Sequence, residues 1–160
     1  MSVEVEDVVA LPPALEEARV RAAEAGWTCA GGVAPPAAWA LVQGGQAVLV
    51  DVRSGEERKF VGHVPESLHV AWATGTALTR NPRFVRELEA RLAKHGGKNA
   101  VALLLCRSGK RSALAAEAAA KAGFTRVFNV LEGFEGEIDA HQHRGGAGGW
   151  RFHGLPWVQD

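Results

Sequence analysis

Short apolar runs recur along the chain and predict the strands of a sheet. The runs at 47–50, 100–105 and 127–130 are rich in Val, Leu and Ala and carry almost no charge. Unbroken apolar runs of this length are typical of strands that are buried on both faces. Residues 67–71 form a weaker strand candidate. The most apolar run, 100–105, is the best candidate for the centre of the sheet.

Segments with helical character lie between these runs. Residues 14–25 favour helix and stop at Gly26, and residues 37–43 follow a Pro-Pro pair. A third helix opens at Asn81-Pro82 and places Phe84, Leu88 and Leu92 on one face. The Ala-rich segment 111–122 predicts a fourth, whereas Ser54 to Glu57 is expected to be a polar turn.

Strands that alternate with helices predict an α/β fold. In such folds the central sheet is mainly parallel, and helices flank it on both faces. We expect residues 1–29 to form an N-terminal helical extension and residues 30–160 to form the main domain. The stretch from His141 to Asp160 has no periodicity, which fits either a long ordered loop or a mobile tail.

Composition narrows the class of protein. Lys and Arg number 18 and balance 18 Asp and Glu, so no basic excess points to nucleic acid or to a membrane surface. The two cysteines exclude a disulfide scaffold. The acidic segment from Met1 to Asp7 lacks the basic start of a secretory signal, and the apolar runs are far shorter than a membrane span. We therefore expect a cytoplasmic protein.

The segment with the clearest chemistry follows the most apolar strand. Cys106 is the first residue past this strand, and a helix begins a few residues later. Sites in open α/β sheets form at the carboxyl ends of strands, where helix N-termini present free N–H groups. Gly109 lets the loop turn, and Arg107, Lys110 and Arg111 add positive charge. These features favour a Cys106 thiolate in a cradle for an anion.

Several short motifs resemble those of the rhodanese (thiosulfate sulfurtransferase) family. They occur in the order typical of that family and cover most of the chain, from about Val33 to Val158. The matching segments are Val50-Asp51-Val52-Arg53, Glu57, Gly62-His63-Val64-Pro65, Cys106-Arg107-Ser108-Gly109-Lys110-Arg111, Val130-Leu131-Glu132-Gly133 and Gly154-Leu155-Pro156.

The resemblance implies a rhodanese-like fold and a specific reaction. Cys106 would take sulfane sulfur from thiosulfate or a similar donor as a persulfide and pass it to a thiophilic acceptor such as cyanide or a thiol. The substrate-binding residues would be Arg107, Ser108, Gly109, Lys110, Arg111 and Ser112. Asp51 and Arg53 would support the loop rather than react. The partners would be small sulfur donors and acceptors, with a protein as a further acceptor. No metal or organic cofactor is implied.

Two other functions fit the same loop. A cysteine phosphatase or arsenate reductase also opens an anion cradle with Cys, but it places Arg six positions later, where this chain has Ser112. A persulfide carrier or docking module for a protein partner would use the same Cys106. The sequence does not separate an enzyme from a dedicated carrier.

The remaining candidates have ordinary structural interpretations. His141, His143 and His153 are expected to be solvated loop residues, because no acidic or Cys ligand lies at a spacing typical of zinc. We expect Cys29 to pack in the core as a small apolar residue rather than to act as a resolving thiol. Trp72 is expected to pack in the core, and the alternative is that it lines the mouth of the pocket. The rings of Trp150 and Trp157 are expected to be buried where the C-terminal loop wraps the domain.

Overall fold

The computed structural model describes residues 10–160. The acidic segment from Met1 to Asp7 lies outside the described residues. The helices are α1 (Pro13–Glu24), α2 (Pro35–Gln43), α3 (Gly55–Phe60), α4 (Phe84–Arg91) and α5 (Lys110–Lys121), with 3₁₀ turns at Ala93–His95 and Gly97–Asn99. The strands are β1 (Gly32–Val33), β2 (Val48–Asp51), β3 (Leu68–His69), β4 (Ala73–Thr74), β5 (Thr79–Arg80), β6 (Ala102–Leu105) and β7 (Val127–Val130).

Five strands form one parallel sheet in the order β1-β7-β6-β2-β3, and β4 and β5 form a separate antiparallel hairpin. β6 lies at the centre, as the sequence predicts. Leu105 lies opposite Asp51, and Leu104 lies opposite Asn129. Because the strands are parallel, the residues that follow β2, β6 and β7 meet at one edge. The predicted α/β fold is confirmed.

Helices cover both faces of this sheet, and each face has its own apolar core. On one face Leu88 of α4 and Ala115 of α5 pack with Leu104 and Cys106. On the other face α1 and α2 pack with Leu103 and with Trp150 of the C-terminal segment. β6 contributes buried residues to both cores, which explains its unbroken apolar sequence.

Some elements differ from the sequence prediction. The expected turn from Ser54 to Glu57 is instead the start of α3. The Ser54 side chain accepts a hydrogen bond from the Glu57 amide, and the Glu57 carboxylate accepts one from the Ser54 amide. This reciprocal capping box stabilises a helix of six residues.

The strand at the edge of the sheet is also shorter than predicted. β3 has two residues in place of the expected five, and the two-residue strands β1, β4 and β5 were not anticipated. Strands of this length carry no periodicity of their own, so their partners in the sheet define them.

The C-terminal segment is an ordered loop that wraps the domain. Val158 forms a β-bridge with His63, and the Trp150 indole donates to the Pro156 carbonyl. Trp150 is fully buried, as expected. Trp157 stays 38% exposed, so the expectation that its ring is buried was wrong. Its ring covers Gly62 at the surface rather than entering the core. Among the described residues, no helix is long and apolar enough to cross a bilayer.

Helix α1 provides a test of how firmly the N-terminal segment is joined to the domain. Leu15 is fully buried in the core beneath the sheet, whereas Val20 on the same helix is 50% exposed. We expect Leu15→Ala to lower the free energy of unfolding by roughly 2–5 kcal/mol. The matched change Val20→Ala should stay within about 0.5 kcal/mol. Urea unfolding monitored by circular dichroism measures both, and equal effects would mean that α1 is not part of the domain.

Candidate active site

The thiol of Cys106 lies at the end of β6, directly before the loop that leads into α5. Cys106 is 1% exposed, so its sulfur is buried at the bottom of the loop. The Gly109 amide donates to Cys106 Sγ at 3.0 Å. Gly109 adopts a φ of 97°, a left-handed conformation that glycine adopts without a steric penalty. This turn directs its N–H back at the sulfur.

Other backbone amides that follow Cys106 in the loop are not used elsewhere. Within residues 10–160, no acceptor is assigned to the amides of Arg107, Ser108, Lys110 and Arg111. The last two belong to the first turn of α5, where N–H groups have no partner in the helix. Together with the helix dipole, they create a positive potential in front of Cys106.

A buried pair of polar side chains lies behind the sulfur. Ser112 Oγ is 3.2 Å from Cys106 Sγ and also hydrogen-bonds to Asn129 Oδ1. The Asn129 amide nitrogen donates to the Gly109 carbonyl at 3.2 Å. Ser112 is fully buried and Asn129 is 8% exposed. Asn129 therefore connects β7 to Gly109 and to the first turn of α5.

The loop that follows β7 supports the Cys106 loop. The Phe134 amide donates to the Cys106 carbonyl at 2.7 Å, and the Glu135 amide donates to the Arg107 carbonyl at 2.9 Å. A Cβ at Gly133 would overlap the Arg107 carbonyl, so only glycine permits this approach. Glu132 and the Trp150 amide hold this second loop against the C-terminal segment.

Asp51 and Arg53 form a buried ion pair beside these loops. Arg53 Nη2 lies 2.8 Å from Asp51 Oδ2 and also donates to the Gly62 carbonyl at 2.7 Å. The Arg53 guanidinium stacks over the Phe134 ring at 4.3 Å. Both side chains are fully buried, and their described hydrogen bonds go to β2, α3 and neighbouring loop residues rather than to the sulfur.

Arg111 is not a free cation. Its two terminal nitrogens bind the two carboxylate oxygens of Glu57 at 2.8 and 2.7 Å. Burial opposes ionisation of Glu57, but hydrogen bonds from Arg111 and Ser54 outweigh it and lower its pKa to about 2. The Glu57 hydrogen bonds in turn raise the pKa of Arg111. Of the three loop cations, Arg107 and Lys110 therefore carry the charge that no described carboxylate neutralises.

Trp72 lines the same end of the sheet. Its amide donates to the Val52 carbonyl, and its buried ring packs edge-on against Phe84 in the core that contains Cys106. The Arg80 guanidinium of the β4–β5 hairpin covers this ring at 3.6 Å. The expectation that Trp72 packs in the core is confirmed, and so is that for Cys29, which is 8% exposed.

The histidines of the C-terminal segment form no metal centre in the described chain. His141 and His143 are exposed, and their backbone amides donate to Asp139. The His153 ring bonds to Glu132 at 2.9 Å. Within residues 10–160, no group of three His, Cys, Asp or Glu side chains is placed to hold a metal ion.

Comparison with models of known families shows which family the chain belongs to. The model of the rhodanese-like domain family matches residues 34–138, which is more than half of the chain. The chain belongs to the rhodanese-like domain family. This rhodanese-like domain carries Cys106 and the loop around it inside the matched region, whereas α1 and residues 139–160 lie outside it.

Individual relatives agree with this family. An uncharacterized protein of Rickettsia rickettsii is 31% identical over 73% of this chain and 87% of its own length. The crystal structure of Rv0390 from M. tuberculosis is 44% identical, with a TM-score of 0.70, and the match covers 81% of this chain and 97% of that one. The polysulfide-sulfur transferase homodimer of Wolinella succinogenes shares the fold at 24% identity and a TM-score of 0.51, over 90% and 87% of the two chains.

The rhodanese-like domain brings the sequence-predicted residues into one site with two distinct parts. Of the predicted residues, Gly109 and Ser112 contact the Cys106 sulfur, whereas Arg53, which is paired with Asp51, stacks on Phe134 of the supporting loop. Sequence reasoning missed Asn129, although a polar residue within the apolar run 127–130 is itself a signal. It also missed that Glu57 pairs with Arg111, because 54 positions separate them and no local pattern connects them.

Because of the Glu57–Arg111 pair, we expect the free energy of unfolding to fall at acid pH. A carboxylate whose pKa falls from 4.5 to about 2 on folding stabilises the folded state above pH 4.5, by about 3 kcal/mol, and this contribution is lost as pH falls toward 2. We expect the loss of stability caused by Glu57→Gln to be largest near neutral pH and to shrink below pH 4.5. Urea unfolding at a series of pH values measures it, and exposed Glu56→Gln is the matched control. A difference that stays constant with pH would contradict the assignment.

Proposed function

We propose that this rhodanese-like domain is a sulfurtransferase that moves sulfane sulfur from thiosulfate or a similar donor through a persulfide on Cys106. The observation that carries the proposal is the environment of Cys106 Sγ. It accepts the Gly109 amide at 3.0 Å, and within residues 10–160 the first amides of the helix that follows, α5, have no assigned acceptor. Such groups stabilise negative charge on sulfur and on an anionic donor.

In the first step the Cys106 thiolate attacks the outer sulfur of thiosulfate. A bond forms between Cys106 Sγ and that sulfur, and the sulfur–sulfur bond of thiosulfate breaks. Its electron pair leaves with sulfite, a dianion that is stable without protonation. The step therefore needs donors and positive charge rather than a general acid. Arg107, Lys110 and the loop amides supply them.

In the second step a thiophilic acceptor attacks the terminal sulfur of the persulfide. With cyanide, a carbon–sulfur bond forms, thiocyanate leaves, and the electron pair of the broken bond regenerates the Cys106 thiolate. No redox cofactor takes part, because both steps are nucleophilic displacements at sulfur in which the leaving group keeps the electron pair of the broken bond. Cys106 is only 1% exposed, so the added sulfur is the atom that projects from the loop toward the acceptor.

A protein acceptor is the main alternative within the same chemistry. A persulfide carrier would load Cys106 in the same way but release sulfur to a partner thiol rather than to a small molecule. We place either activity in the cytoplasm, because both cysteines are free thiols and a reducing compartment keeps them so.

Sulfur transfer and loading are measured together. We expect purified protein to convert thiosulfate and cyanide to thiocyanate and to gain the mass of one sulfur after thiosulfate treatment. Cys106→Ser should lose both signals. Cys29→Ser should keep both, because the described hydrogen bond of Cys29 goes to Glu117 in the second half of α5 rather than to the Cys106 loop. Mass gain without turnover would favour the carrier. Absence of both in the wild-type protein would reject sulfur transfer from this donor.

Because Glu57 neutralises Arg111, we expect substitutions at these two positions to have opposite effects on the affinity for the sulfur donor. Glu57→Gln removes the carboxylate that neutralises Arg111, so the apparent KM for thiosulfate should fall. Arg111→Ala leaves that carboxylate unpaired near the loop, so the apparent KM should rise. We expect the fall and the rise to be about fivefold each. The double variant should lie between them. An unchanged KM in Arg111→Ala would mean that the loop amides alone hold the donor.

A further inference from the structure

A chain of hydrogen-bonding groups runs from the sulfur into the sheet. Ser112 Oγ lies 3.2 Å from Cys106 Sγ and bonds to Asn129 Oδ1, and Asn129 Nδ2 donates to the Gly109 carbonyl. The proposed sulfur transfer does not require Asn129. Its side chain is nevertheless the only polar one in β7, and it lies in the strand next to β6.

Few hydrogen atoms are available for donation along this series of hydrogen bonds. Asn129 Oδ1 can only accept, and Ser112 has a single hydroxyl hydrogen. The Asn129 side chain cannot be reversed, because its carbonyl oxygen would then face the Gly109 carbonyl oxygen at about 3.2 Å. Asn129 Oδ1 therefore faces Ser112 and competes with Cys106 Sγ for one hydrogen.

The charge on sulfur decides this competition. A neutral thiol donates weakly to Ser112 Oγ, so the hydroxyl is free to donate to Asn129. A thiolate only accepts, and a charged acceptor forms the stronger hydrogen bond, so the hydroxyl turns to Cys106. Asn129 Oδ1 then loses its donor in a buried site, which disfavours that state.

We propose that Asn129 is a positioning residue that accepts the Ser112 hydroxyl while Cys106 Sγ is uncharged and releases it when Sγ becomes a thiolate. The catalytic meaning of this inference rests on the proposed sulfur transfer. Sγ is neutral in the persulfide and negative before loading and after sulfur release. The Ser112 hydrogen would therefore turn twice per cycle, with no proton leaving Ser112. Asn129 favours the loaded state, in which both side chains keep a partner.

The charged groups in the neighbourhood of Cys106 come from several elements and set a background that this exchange modulates. Arg107, Lys110 and Arg111 come from the loop and α5, Glu57 comes from α3, and Asp51 comes from β2. Within residues 10–160, no charged side chain hydrogen-bonds to Ser112 or Asn129. Substitutions at these two positions therefore leave the surrounding charges in place.

The test follows the titration of Cys106 without any sulfur donor. Asn129→Leu has a similar shape and removes the competing carbonyl, so the Ser112 hydroxyl becomes permanently available to the thiolate. We expect the midpoint of the pH profile for iodoacetamide alkylation to move down by about half a unit to one unit. The limiting rate at high pH should fall about two- to threefold, because a more stable thiolate is a weaker nucleophile. Thiolate absorbance gives the same midpoint independently.

Variants of Ser112 show whether the effect passes through its hydroxyl. Ser112→Ala should move the midpoint up, because the thiolate loses a donor, and Ser112→Thr should restore it toward the wild-type value. In the Ser112→Ala background, Asn129→Leu should have no further effect. All proteins carry Cys29→Ser, so that Cys106 is the one thiol left to alkylate. Asn129→Ala removes the same carbonyl and replaces the Leu variant if circular dichroism shows that it is unfolded.

Two outcomes would overturn the inference. In the first, Asn129→Leu leaves the midpoint unchanged or moves it up. In the second, the shift is the same with and without the Ser112 hydroxyl, which would assign the effect to the Gly109 hydrogen bond. The sulfur-transfer proposal is judged separately, since alkylation needs no donor. The predicted shift in a protein without sulfur transfer would support the hydroxyl exchange and reject the sulfurtransferase.

Discussion

The site depends on how the peptide groups of one loop are divided between its two sides. The carbonyls of Cys106 and Arg107 point backwards and accept the amides of Phe134, Glu135 and Gly136. Buried carbonyls need such partners, and here a neighbouring loop supplies all of them. The amides of the Cys106 loop are consequently left for the sulfur side.

This division explains why the loop after β7 contains unusual backbone conformations. Glu132 adopts a φ of 70°, which is rare for a residue with a side chain, and Gly133 must lack one. The C-terminal segment holds both in place, because the Gly149 amide donates to Glu132 and the Trp150 amide donates to Gly133. The Gly- and Trp-rich sequence, which lacks periodicity, is thus part of the scaffold behind the cysteine.

The sequence predicts those features that depend on local pattern. The three buried strands follow from apolar runs, and the four longer helices follow from composition and Gly stops. The Cys106 loop stands out because a thiol, a glycine and three cations share six positions. By contrast, β1 becomes a strand only because β7 pairs with it. The capping box of α3 is different, since Ser54 and Glu57 carry its pattern openly and a test for Ser-x-x-Glu would have found it.

Counting charges in the loop gives a misleading picture of its electrostatics. Arg111 is a cation in the sequence, but Glu57 binds both of its terminal nitrogens, so the pair contributes little net charge near the sulfur. The amides and the dipole of α5 have no such counterion within residues 10–160. Their positive potential is fixed by backbone geometry and does not change with pH, since amides do not titrate. Backbone geometry therefore supplies a positive potential that Glu57 does not cancel, and the ion pair holds that geometry by joining α3 to the first turn of α5.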